Sequence, residues 1–152
     1  MRRAALAFAA ALVAAPAVAE FPDEAHIAEL EGCLVAAAEH PESCKGIISG
    51  PCMKAPAGEA ALDRAQCLAG ERAAWYEVIR DVYGELEAQV LQAQGATAVE
   101  QLREAQSAWV AHRNADCAMR AALADDLRQY EAACTMAHTA ERAIALIALR
   151  GQ

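Results

Sequence analysis

Valine and threonine are scarce in this sequence, and no stretch alternates apolar and polar residues with a period of two. Those two lacks argue against a sheet protein. Other signatures are missing as well. There is no CxxC spacing of the kind that builds zinc sites, and no CxxCH for covalent haem attachment. There is no HExxH, no GxSxG, no glycine-rich phosphate loop and no dinucleotide fingerprint. Past the N-terminus no segment is apolar enough to cross a bilayer. These absences lead to an expectation of no catalytic residue, no cofactor and no metal. What is abundant is Ala, Leu, Glu, Arg and Gln, a helix-forming set. The fold expected is all-α.

The chain begins MRRAALAFAAALVAAPAVAE. Arg2 and Arg3 form a basic start, Ala4 to Ala15 an apolar run, and Ala17-Val18-Ala19 a small-x-small cleavage site. That pattern predicts a signal peptide over residues 1–19, removed on export to the periplasm or beyond. No Cys follows the expected cut, which argues against a lipid anchor. The mature part, residues 20–152, is expected to be one helical domain. Without Arg2 and Arg3 it carries 11 basic and 21 acidic residues, a formal charge of −10. Such a surface repels nucleic acid and anionic lipid and attracts basic partners, although it also serves solubility alone. Neither nucleic-acid binding nor membrane insertion is expected, and the oligomeric state is left open.

All six cysteines lie in the mature part: Cys33, Cys44, Cys52, Cys67, Cys117 and Cys134. An even count in an exported chain argues for disulfides. Six cysteines allow about 15 pairings. The sequence-nearest set, Cys33–Cys44, Cys52–Cys67 and Cys117–Cys134, is favoured because each pair closes a short loop.

Helix signals divide the mature chain into about four helices. The first is expected from Asp23, a capping residue, to Glu39, ended by His40-Pro41. An irregular segment follows from Pro41 to Gly58, rich in Pro, Gly and Cys. A second helix is expected from Glu59 to Gln94. Its stripe is Leu62, Ala65, Ala69, Ala73, Tyr76, Ile79, Tyr83, Leu86 and Val90. Trp75 lies off that stripe, exposed or laid over the first helix. Gly84 is a weak point, and Gly95 reads as a C-terminal stop. Thr97 with Glu100 reads as a capping box opening a third helix to about Leu123. Asp125 and Asp126 open a fourth, ending near Arg150. Short connections imply a disulfide-linked antiparallel bundle.

The third helix carries the most informative residues. Leu102, Gln106, Trp109, Arg113 and Cys117 recur at steps of four, three, four and four, so they share one helical stripe. That stripe should face the interior, yet it holds an amide and a guanidinium. A buried Arg demands carboxylate or carbonyl partners. The stretch therefore reads as a polar clasp within the bundle. The rival reading gives Arg113 and Arg142 to an anionic ligand. Cys134 and His138 share a face, but the thiol is more simply the disulfide partner of Cys117.

These residues resemble the LprI-like family, named for a bacterial lysozyme inhibitor, over about residues 67–149. Its central signature looks like Leu102, Gln106, Trp109, Arg113 and Cys117. Its closing signature looks like Cys134, Thr139, Arg142 and Leu146. An earlier element aligns with Cys67, Tyr76, Ile79, Arg80 and Tyr83. The departures are specific. Tyr76 stands where the family carries Asp, Arg80 where it carries Asn, and Asn114 where an acid commonly follows the Arg. Glu77 and Asp81 are then the expected acidic partners of Arg113. The resemblance implies an exported protein-binding module that inhibits lysozyme-type muramidases. Many such enzymes are strongly basic, and a −10 partner would be steered toward them. The Pro41–Gly58 segment is the expected projecting element. A periplasmic interaction protein without inhibitory activity is the alternative.

Overall fold

The computed structural model describes residues 23–55 and 63–151. The expected leader and its cleavage site, and Pro56, Gly58, Glu59 and Leu62, lie outside the described residues. Five α-helices and a 3-10 turn make up the described part.

Helix α1 spans Glu24–Ala36, and the Asp23 side chain accepts from the Ala25 N–H at 2.9 Å. It stops short of the expected Glu39. Ala37 leaves helical geometry, and Pro41 disfavours helix at His40. The segment expected to be irregular is partly ordered: a 3-10 turn at Pro41–Cys44 and a short α2 at Ser49–Lys54. Pro51 sits in the first turn of α2, where its missing N–H would have had no helical partner.

Helix α3 spans Arg64–Gln94 and runs unbroken through Gly84. Asp63 accepts from the Gln66 N–H at 2.8 Å while the Gln66 side chain accepts from the Asp63 N–H at 2.9 Å. Helix α4 spans Ala96–Ala121. Its expected Thr97–Glu100 capping box does not form. The N-cap is Gly95, which has no side chain and which also closes α3. A corner of one residue leaves Thr97 already inside the first turn. Gly95 adopts φ 85°, ψ −178°, a region that only glycine enters without strain. Helix α5 spans Leu127–Arg150, capped by Asp126, which accepts from the Gln129 N–H at 3.0 Å.

Sequential neighbours run antiparallel, so α3 and α5 run parallel and pack most extensively on each other. Cross-links at both ends fix the register: Arg128 pairs with Asp63 at 2.7 Å, and Arg150 with Glu85 at 2.9 Å. The core comprises Leu30, Ile48, Leu68, Trp75, Val78, Ile79, Val82, Leu86, Ala140, Ala143 and Leu146 among others. The inward face of α3 is therefore turned from the expected stripe. It follows Cys67, Glu71, Trp75, Val78, Val82 and Leu86, while Ala69, Ala73, Tyr76, Tyr83 and Val90 are only partly buried. Trp75 is fully enclosed.

Three disulfides join Cys33–Cys44, Cys52–Cys67 and Cys117–Cys134. Each closes a loop short enough for the cross-link to stabilise by about 3 kcal/mol on a chain-entropy argument. The first two tie residues 44–52 to α1 and α3. A buried carboxylate completes the attachment. Glu71 is 0% exposed and accepts from the Gly46 N–H at 2.6 Å, the Ser49 N–H and Oγ–H at 2.8 and 2.7 Å, and the Trp75 Nε1–H at 3.2 Å. The segment from Cys44 to Ser49 is thus a strap pulled against α3, rather than the projecting loop expected. Exposed residues flank the strap instead: Glu42 and Ser43 before it, and Pro51, Met53, Lys54 and Ala55 after it.

Two substitutions test this framework. Gly95→Ala forces an L-residue into the corner and is expected to lower unfolding free energy by about 1–3 kcal/mol in a urea melt. Glu71→Ala orphans four donors and is expected to cost about 3 kcal/mol or more. An unchanged denaturation midpoint in either variant would contradict the role given to that residue.

Candidate functional site

Helix α4 buries little: Val99, Arg113, Cys117 and Ala121. Its inward stripe is the one read from sequence, with Leu102, Gln106 and Trp109 partly buried above Arg113 and Cys117. Arg113 is 5% exposed. Its guanidinium donates to Asn114 Oδ1 from Nε and Nη2 at 3.1 and 2.7 Å, and to Thr139 Oγ1 from Nη1 at 3.3 Å. Nη1 also donates to the Tyr76 hydroxyl. The same guanidinium stacks on two rings, 5.2 Å from the Tyr76 centroid and 5.0 Å from that of Trp109.

The acidic partners expected for Arg113 are not used. Arg80 takes both of them: its guanidinium pairs with Glu77 and lies 3.2 Å from Asp81. Arg80 is exposed beside both acids on the same helix and reaches them without crossing between helices. Tyr76 and Asn114, the two positions at which the resemblance led to an expectation of acids, both meet Arg113 and offer it a hydroxyl and an amide oxygen.

Helix α5 supplies the other side of the clasp. Thr139 is buried, donates to the Thr135 carbonyl at 2.6 Å, and offers its second lone pair to Arg113. Arg142 donates to Gln106 Oε1 at 2.9 Å and lies 5.7 Å from the Trp109 ring. The Trp109 ring thus lies near two guanidiniums while its partly buried body packs against the core. Among the described residues neither Arg113 nor Arg142 pairs with a carboxylate. Burial lowers the Arg142 pKa from its ordinary value. Tyr83 lies beyond Arg142, its pKa raised by burial and by the nearby Glu87 carboxylate. Glu87 in turn is held below the usual carboxylate range by its hydrogen bond from Arg103, at 2.8 Å.

The sequence signature is thus assembled as one polar seam joining α3, α4 and α5. Among the described residues the seam sets no nucleophile beside a base. What it does is fix the placement of α4. The surface it supports offers a groove between α1, α3 and the end of α5, about 670 Å³ in volume. Leu34, Val35, Val78, Val82 and Ile147 line it, and Glu31, Asp81 and Glu85 stand among its lining residues. Val35 is 81% exposed at its edge. Sequence reasoning missed Glu71, Ser49 and this groove. A signal for Glu71 was present: it falls one turn from Cys67 and one turn from Trp75, on the face that the disulfide turns inward.

A family model described as Lysozyme inhibitor LprI matches residues 52–146, more than half of the chain. No curated protein matches the chain, and no solved structure does. The match covers the whole clasp and the Cys52–Cys67 and Cys117–Cys134 bridges.

The clasp makes a stability prediction. Arg113→Ala leaves its polar partners buried and alone, and is expected to lower the melting temperature by roughly 10 °C, equivalent to about 3 kcal/mol. Arg113→Lys should recover less than half of this, because an ammonium reproduces neither the fork of donors nor the ring stacking. A melt indistinguishable from wild type would refute the clasp.

Proposed function

This chain belongs to the lysozyme inhibitor LprI family, and from that premise we propose that it is an exported, non-catalytic module that binds and inhibits a lysozyme-type muramidase. The family match is the observation that carries the reading. Three disulfides support an oxidising compartment, in keeping with the leader-like N-terminus. No helix among the described residues is long and apolar enough to cross a membrane.

Charge and shape favour a basic partner. The chain is acidic overall, and apolar side chains in the α1–α3 groove lie beside Glu31, Asp81 and Glu85, with Arg150 paired to Glu85 and Arg80 to Asp81. An apolar floor whose rim holds more acid than base suits a basic enzyme that lays an apolar side chain between its own Lys and Arg residues. Such rim charges mainly speed encounter and exclude wrong partners, while buried apolar anchors set the lifetime of the complex.

Cell-wall turbidity clearing by several basic lysozymes measures the activity. Clearing should slow at micromolar protein, and the effect should weaken as salt rises. A Glu31→Lys/Asp81→Lys variant should inhibit at least tenfold less while melting normally. No slowing with any lysozyme at micromolar excess would defeat the inhibitor reading and leave a non-inhibitory interaction module. Undiminished inhibition by the charge-reversed variant would move the contact surface away from the groove.

A further inference from the structure

The Cys117–Cys134 bridge has company. Asp116 precedes Cys117 on α4, and His138 lies one turn after Cys134 on α5. One ligand-type atom from each of Asp116, Cys117, Cys134 and His138 falls within a single cluster in which all lie within 4.8 Å of one another. The His138 Nε2 is 3.4 Å from Asp116 Oδ2. The cysteines' Cα atoms are 5.6 Å apart, and Cys117 is fully buried while the other three are partly so. A shallow depression of about 310 Å³, lined in part by Arg120, Cys134 and His138, opens the cluster to solvent.

We propose that this disulfide masks a zinc site, formed by Asp116, Cys117, Cys134 and His138 when the bridge is reduced. Two thiolates, one imidazole and one carboxylate are a donor set suited to tetrahedral Zn²⁺. Metal–ligand distances of about 2.0–2.3 Å put the edges of such a tetrahedron at about 3.5 Å. Once reduced, the two sulfurs, directly bonded in the bridge, open to about that separation, while the carboxylate and imidazole draw in from within 4.8 Å. The four side chains already converge across the α4–α5 seam.

The chemistry balances simply. A dithiol reductant delivers two electrons and two protons to the S–S bond and becomes a disulfide itself, leaving two thiols. Zn²⁺ then displaces both thiol protons to solvent, so binding weakens as pH falls. Three anionic ligands around a divalent ion leave one net negative charge. Arg120, whose guanidinium lies 2.9 Å from Asp116, is placed to offset it. The site's role follows from its position. The ion clips α4 to α5 where the disulfide otherwise does, so the seam stays closed in either redox state.

The test uses the full chain, reduced with a phosphine that does not bind zinc and kept anaerobic. Zinc is titrated against a chromogenic chelator, and cobalt(II) serves as a spectroscopic substitute. Reduced wild type is expected to retain one equivalent of zinc, and cobalt to give tetrahedral bands with thiolate charge transfer. Oxidised protein should retain none. His138→Ala should weaken retention at least tenfold while leaving the melt of the oxidised protein unchanged, and Cys117→Ser/Cys134→Ser should abolish it. Four other thiols are freed by reduction, and they are the competing explanation. If they held the ion, His138→Ala would bind as tightly as wild type, and the proposal would fall. It would fall equally if reduced wild type surrendered its zinc to the chelator.

Discussion

Two charged groups are enclosed in this small bundle with no counter-charge paired to them among the described residues. Arg113 lies under α3 and α5, and Glu71 lies under the strap. Removing an ion from water costs several kcal/mol even after relaxation, and an opposite charge is the usual remedy. Here neutral dipoles do the work. Glu71 collects four donors, two of them backbone N–H groups of the strap. Arg113 collects an amide oxygen, two hydroxyls and two ring faces. Hydrogen bonds to charged groups contribute about 1.5–3 kcal/mol each, so three or four per ion offset the desolvation. The offset holds only while every partner stays in place. That is the constraint under which the rest of the structure is built.

The disulfides answer that constraint by their position. Cys67 lies one turn before Glu71 on α3, and its partner Cys52 belongs to the short helix following the strap that carries Glu71's donors. Cys117 lies one turn after Arg113 on α4, and its partner Cys134 lies on the helix that carries Thr139. Each of these two bridges therefore clamps the pair of elements between which a buried ion is solvated. A cross-link acts on the unfolded chain by shortening it and on the native state by holding geometry. In this protein the second effect matters most near the two ions, where small separations would leave charges bare.

Much of the fold could be read in the sequence, and the errors have physical causes. The disulfide pairs follow from sequence nearness because each joins elements adjacent in the chain. The stripe from Leu102 to Cys117 was legible because α4 contacts neighbours on one side only. The stripe on α3 was misjudged because that helix touches α1, α2, α4 and α5. A helix covered from several directions has no single apolar edge, and Ala-rich positions obscure the rest. Trp75 was displaced for the same reason. Thr97 satisfied the spacing of a capping box, yet the corner at Gly95 started α4 two residues too early for it. Arg113's neutral partners were hardest to foresee. An expectation of carboxylate partners overlooks that Asn, Tyr and Thr oxygens accept from a guanidinium as well.

Helix α4 is the element most exposed to this arrangement's weakness. It places few apolar groups in the core, and most of its surface faces water. Apolar burial contributes about 25 cal/mol per Å², so a helix that buries Val99 and Ala121 and only partly covers Leu102 and Trp109 gains less from it than its neighbours do. Its attachment comes instead from the Arg113 clasp, the Arg142–Gln106 contact, the Arg103–Glu87 pair and one disulfide. The ion pair is half-exposed and contributes little. Reduction thus removes the one covalent link from the least buried of the long helices and leaves the clasp to hold alone. A second fastener at the same point, built from side chains already gathered there, has its greatest value on this helix. By contrast, α3 and α5 stay joined by Trp75, Val78, Ala140, Ala143 and Leu146 whatever the redox state. Local opening should accordingly begin at α4, with the α3–α5 pair as the last unit to separate.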